Sequence, residues 1–139
     1  MKKYLHKVNY YETDKMGITH HSNYIRFMEE ARVDFLEQIG WPFEKIEECG
    51  FGSPVMEIGA AYKKSTVFSD VIEIEVKVLE CSPAKLKIGY EMTVRGQVCF
   101  TGWSSHCFIN KEGRPVIWKR EIPDFYNAVA SHLENPQKA

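Results

Sequence analysis

The chain has 139 residues, a formal net charge of −1 and a pI near 6.5, a length that suits one domain with its own core and a balance that gives no global field for nucleic acid. DNA and RNA binding are therefore not expected. The opening MKKYLHKVNYYE is basic but alternates polar residues where a leader would carry an apolar stretch, and no apolar run approaches the ~20 residues of a membrane span, so a soluble, cytoplasmic protein with no membrane partner is expected.

From Lys3 to Tyr11 the residues Tyr4, His6, Val8 and Tyr10 alternate with Leu5, Lys7, Asn9 and Tyr11, which predicts a first strand. Asp14 follows in a polar connection containing Gly17. The period then changes. Tyr24, Phe27, Met28, Ala31, Phe35, Leu36 and Ile39 recur every three or four residues while charged residues fill the other arc, which predicts a helix of about five turns with one apolar face. Ser22 or Asn23 can cap its start, and Gly40 before Trp41-Pro42 supplies the stop. An acid in a turn just ahead of a helix start shares a small volume with backbone N–H groups that attract developing negative charge.

Pro42 to Cys49 reads as a short second helix closed by Gly50 and Gly52, and strand spacing returns from Ser53 to Lys64. Ile72, Ile74, Val76 and Val78 alternate with Glu73, Glu75 and Lys77. Leu86, Ile88, Tyr90, Met92 and Val94 do the same against Lys85, Lys87, Glu91, Thr93 and Arg95. Ser82-Pro83-Ala84 and Arg95-Gly96-Gln97 are short enough to be hairpin turns, so these strands and a last one from Val98 to Ile109 should pair antiparallel. A turn at Asn110 to Pro115, a weaker helix over Ile122 to Leu133 and a frayed NPQKA tail complete the chain. One long helix with a single apolar stripe against five strands is an α+β arrangement, with the core between helix and sheet. Residues 1–139 are read as one domain.

Four cysteines, Cys49, Cys81, Cys99 and Cys107, stand far apart with neither a C-x-x-C pair nor a spaced Cys/His pattern, so reduced and mostly buried thiols are expected. His20 and His21 are neighbours, whose side chains diverge on a regular element, whereas ligands on one helix stand three or four residues apart. No metal site is expected.

Tyr11-Glu12-Thr13-Asp14, Gly17 and His21-Ser22-Asn23-Tyr24, followed by Phe27, Glu30, Ala31 and Arg32, resemble the Y-x-x-T/C-D-x-x-G-x-x-x-H/Y-x-x-Y signature of the hotdog-fold acyl-CoA thioesterases, in the 4-hydroxybenzoyl-CoA thioesterase and YbgC-like branch. Tyr62-Lys63 with Asp70, and Gly113-Arg114-Pro115, add weaker support, and the resemblance covers nearly the whole chain. Two positions depart from the pattern. Ser69 stands where many relatives have Gly, which bears on a turn, and His20 stands where an aromatic or aliphatic residue is frequent, close to the expected acyl site.

The resemblance implies a hotdog fold and hydrolysis of acyl-CoA, or acyl carrier protein, thioesters with no cofactor. Asp14 is then the catalytic carboxylate, either a nucleophile that forms a mixed anhydride or a general base on water. The backbone N–H of His21 would polarise the thioester carbonyl, its imidazole having the smaller part, and Gly17, Tyr24 and Lys63 would contribute to substrate binding. Lys64, Lys85, Lys87 and Arg95 are further candidates for the anionic end of CoA. The resemblance also implies a homodimer or homotetramer with sites at the subunit interface. Without the signature, Asp14 reads as a turn acid, His21 as a helix-proximal polar residue and Tyr24 as part of the apolar stripe. A non-catalytic acyl-CoA-binding or sensing module is the alternative, because a fold does not establish activity, and a dehydratase ranks behind both.

Overall fold

The computed structural model describes residues 1–134. In chain order it contains β1 (Tyr4–Lys7), a 3-10 turn (Tyr10–Glu12), α1 (Asn23–Gln38), α2 (Phe43–Glu48) and β2 (Val55–Tyr62). Then come β3 (Val71–Cys81), β4 (Leu86–Val94), β5 (Gln97–His106), α3 (Trp118–Glu121) and α4 (Pro123–Ala130). The strands form one antiparallel sheet in the order β1-β3-β4-β5-β2, the expected α+β layering of a central helix on five strands.

The apolar stripe of α1 places Tyr24, Phe27, Met28, Ala31, Phe35 and Leu36 out of water, in one core with Ile72 and Ile74 of β3, Ile88, Tyr90 and Met92 of β4 and Phe100 of β5. The period-two alternation of β3 and β4 delivers these residues to one face. At the other end of α1, the Trp41 N–H reaches back to Leu36 O (2.9 Å) and the Gly40 N–H to Glu37 O (3.1 Å), a Schellman closure at the expected stop. The β4–β5 hairpin turns on Arg95-Gly96, with φ of 50° and 79°, the primed geometry that matches strand twist. Phe27 is fully buried with its ring 4.1 Å from the His6 ring. We expect Phe27→Ala to lower unfolding free energy by about 3–5 kcal/mol, read as a shift of the urea midpoint at unchanged slope.

Several expectations need correction. The first strand stops at Lys7, because Glu12 folds back to accept the Asn9 N–H (2.7 Å) and winds Tyr10–Glu12 into a 3-10 turn. The last strand ends at His106 instead of Ile109, where Ile109 leaves β5 to bridge Gly52 and Pro115. The last helix begins at Pro123, whose ring suits a first helical position, and ends at Ala130. Ahead of it Trp118, in α3, stacks on Phe108 at 4.3 Å and meets Phe125 edge-on, an aromatic cluster that periodicity did not indicate. The strand expected over Ser53 to Lys64 is present as β2, narrowed to Val55–Tyr62, and it has no single core face: Val55, Met56, Ile58 and Tyr62 are all more than 40% exposed. Among the described residues it is an edge strand, hydrogen-bonded on one side only, to β5. Among the thiols only Cys99 is buried, Cys81 and Cys107 being half-buried and Cys49 exposed. The expected 135–139 tail lies outside the described residues.

Candidate active site

The segment between the 3-10 turn and α1 is a compact loop. Thr13 and Thr19 bridge, the Asp14 N–H donates to Ile18 O (2.9 Å), and the Gly17 N–H donates to Asp14 O (2.9 Å). Gly17 has φ of 79°, a left-handed conformation that a side chain would strain, and this tight reversal presents Asp14 at the loop's edge. One carboxylate oxygen of Asp14 accepts the Met16 N–H (2.8 Å); the other has no bond among the described residues. Half of the anion is thus oriented and half is open to chemistry.

The start of α1 differs from the expected side-chain cap. Ser22 has helical backbone angles and its hydroxyl caps nothing; instead the His20 Nδ1 accepts the Ser22 N–H (3.2 Å) and meets the Ser22 hydroxyl at 2.9 Å. The imidazole at the position that departs from the family pattern therefore takes the capping role. The Asn23 and Tyr24 N–H groups are already engaged, with His20 O (3.0 Å) and His21 O (3.3 Å). The His21 N–H has no acceptor among the described residues. In a trans peptide C=O and N–H are antiparallel, so with His20 O turned toward Asn23, the His21 N–H on the same peptide is directed away from the helix.

Asp14, His21, Tyr24 and Lys63 line one cleft of about 280 Å³, together with Met16, Ile18, Thr19, Tyr62, Lys64 and Ser65. Four of the five residues singled out in the sequence are thus brought together, and the fifth, Gly17, forms the turn behind them. Tyr24 forms the cleft's inner wall: its ring stacks on Phe100 at 5.1 Å and its hydroxyl meets Thr66 Oγ1 at 2.9 Å, while burial raises the phenol above its ordinary range. Tyr62 donates to His21 O (3.0 Å), tying β2 to the helix start. Tyr62 appeared in the sequence only as a secondary part of the signature. Of the other candidate cations, Lys64 bonds Gln97, Lys87 lies over the Trp103 ring at 4.4 Å, and Arg95 pairs with Asp70 at 3.1 Å. Ser69 has φ of 68°, so the turn at the position where the resemblance leads one to expect Gly is made here by a residue in the left-handed region.

Among the described residues no three His, Cys, Asp or Glu side chains converge as metal ligands, and no helix is long and apolar enough to cross a membrane. Burial pushes the Cys81 and Cys99 thiols up to about 11, which keeps them protonated and poorly nucleophilic at neutral pH.

The sequence profile of the thioesterase-like superfamily matches residues 8–133, which include the Asp14 loop, α1 and the whole sheet except β1. The chain belongs to the thioesterase-like superfamily. Among its relatives is YneP of Bacillus subtilis strain 168, by name a candidate acyl-CoA thioesterase, 30% identical over 88% of this chain and 90% of that protein. In structure the chain is similar to a DHNA-CoA thioesterase from Staphylococcus aureus, with a TM-score of 0.89, 28% identity and coverage of 94% and 89% of the two chains. A hypothetical protein from Thermus thermophilus superposes with a TM-score of 0.88 at 33% identity, covering 95% of this chain and 99% of that one. The helix-on-sheet arrangement is the hotdog fold of these neighbours.

Proposed function

We propose that the chain, acting as one hotdog domain over residues 1–139, hydrolyses acyl-CoA thioesters to the free acid and CoA. The observation that carries this reading is the shared cleft in which a half-free Asp14 carboxylate lies with His21, whose N–H lacks an acceptor among the described residues. A thioester carbonyl is more electrophilic than an ester's and its thiolate is a good leaving group, so a carboxylate and one aimed donor are sufficient machinery. The carbonyl oxygen accepts from the His21 N–H as negative charge develops, a contribution of about 3 kcal/mol for a preorganised donor. Asp14 either attacks the carbonyl carbon, expelling the thiolate and leaving an anhydride that water cleaves, or takes a proton from the attacking water. Lys63, on the cleft rim, suits the anionic arm of CoA or of an acyl carrier protein.

The exposed edge of β2 supports a homodimer, built into a tetramer or not, in which two copies join at this strand and the cleft lies beside the seam. N–H and C=O groups with no partner among the described residues, flanked by Val55, Met56, Ile58 and Tyr62, are an edge that proteins ordinarily cover. The free thiols fit a reducing, cytoplasmic setting. The test is a panel of short, long and aromatic acyl-CoA thioesters followed by thiol release. Turnover of at least one class is expected; binding without thiol release across the panel would replace the enzyme by an acyl-CoA-binding module.

A further inference from the structure

A single residue, Glu12, ties the neck of the Asp14 loop with both of its polar ends. Its carbonyl oxygen accepts the His20 N–H (2.8 Å) and the Asn23 side-chain amide (2.9 Å), so the chain entering the loop and the chain leaving it meet at one atom. Its carboxylate accepts the Asn9 N–H (2.7 Å) and meets His6 Nε2 at 2.8 Å. His6 Nδ1 then reaches Glu30 on α1 at 3.1 Å, and the Tyr4 hydroxyl donates to the same Glu30 oxygen at 2.8 Å. Glu12 is 6% exposed, His6 8% and Asn23 7%. β1, the 3-10 turn and α1 are thereby linked through a chain of polar contacts, buried at Glu12, His6 and Asn23, that ends at the residue preceding His21.

Burying a carboxylate is costly unless its partners are in place, so such a hub has one favourable arrangement. We propose that Glu12 is a positioning residue for the thioesterase reaction: its carboxylate, bonded to Asn9 and His6, fixes the 3-10 turn so that its carbonyl stays on the His20 N–H and the Asn23 amide, which aims the adjacent His21 N–H into the cleft it shares with Asp14. This rests on the function proposed above. Glu12 is buried and is not among the residues that line the cleft. Because the aim matters most when charge develops on the carbonyl oxygen, the effect falls on kcat more than on KM.

The experiment compares wild type, Glu12→Ala, Glu12→Gln and Asn23→Ala by thiol release from the best acyl-CoA, by urea denaturation, and by amide exchange at His20. Per folded chain, Glu12→Ala should lower kcat by about 10- to 100-fold, the size of effect a displacement near 1 Å can have, with a smaller change in KM. Glu12→Gln, which can still accept from Asn9 and His6, should restore most of the loss. The His20 amide should exchange faster in Glu12→Ala. If Glu12→Ala does not fold, Asn23→Ala, which cuts the neck from the other side, should give the same loss of kcat. Unchanged kcat per folded chain in the variants that fold would overturn the positioning role. Should the wild type release no thiol from any substrate, the proposed activity itself fails; unchanged His20 exchange in the folded variants would then still reject the anchoring role, and faster exchange would support it.

Discussion

Asp14→Asn should leave a folded protein that binds acyl-CoA and has lost about 10²- to 10⁴-fold in kcat, the range for removing a positioned base, with the upper end favoured if Asp14 is the nucleophile. The amide is isosteric and keeps the oxygen that accepts the Met16 N–H at 2.8 Å, so the loop closed by Thr13, Ile18 and Gly17 has no reason to move. What disappears is the anion on the free side of the carboxylate. In barrier terms the loss is about 3–5 kcal/mol. His21→Ala offers the contrast, because it keeps the backbone N–H and deletes only an exposed ring. It should cost far less than Asp14→Asn. Equal losses would move the chemistry to the imidazole, and full turnover in Asp14→Asn would remove the carboxylate from the reaction. Stopped-flow thiol release and equilibrium binding of acyl-CoA to each variant separate these outcomes.

The contrast between Asp14 and Glu12 indicates what a sequence can reveal of such a site. The stripe Tyr24, Phe27, Met28, Ala31, Phe35 and the alternations of β3 and β4 were legible because each side chain's burial follows from its own element's period. Asp14 is singled out by its signature, since spacing alone gives a turn acid. Glu12 was within that signature and still unreadable in its role, because its carboxylate and carbonyl bond His6, His20 and Asn23, and through His6 reach Glu30, groups that meet only in the folded chain. The cap by His20 was missed for a related reason: Ser22 satisfies the ordinary preference, and the competing imidazole is decided by backbone angles. Likewise, the spacing from Ser53 to Lys64 predicts a strand but not its place in the sheet. Its exposure follows from its place at the end of the sheet order, a tertiary property.

That exposed edge carries the second large effect. If two copies join at β2 as proposed, the wild type should run as a dimer or larger in light scattering and Ile58→Lys as a monomer, with turnover falling with it. Ile58 is 41% exposed on the single chain and pairs with Ser104 of β5 through backbone, so a lysine there can extend its ammonium into water at little cost to the monomer's fold. Across a seam between two copies of β2, however, the same charge would be taken out of water, and edge lysines are a common means of blocking strand pairing. Turnover is coupled to this edge because Tyr62, at the end of β2, holds His21 O at 3.0 Å, so loosening the strand loosens the helix start that carries the proposed donor. Circular dichroism and the urea midpoint distinguish a folded monomer from an unfolded chain. A folded monomer with full kcat would make the cleft complete within one subunit, whereas an intact oligomer in the Ile58→Lys variant would move the contact away from β2.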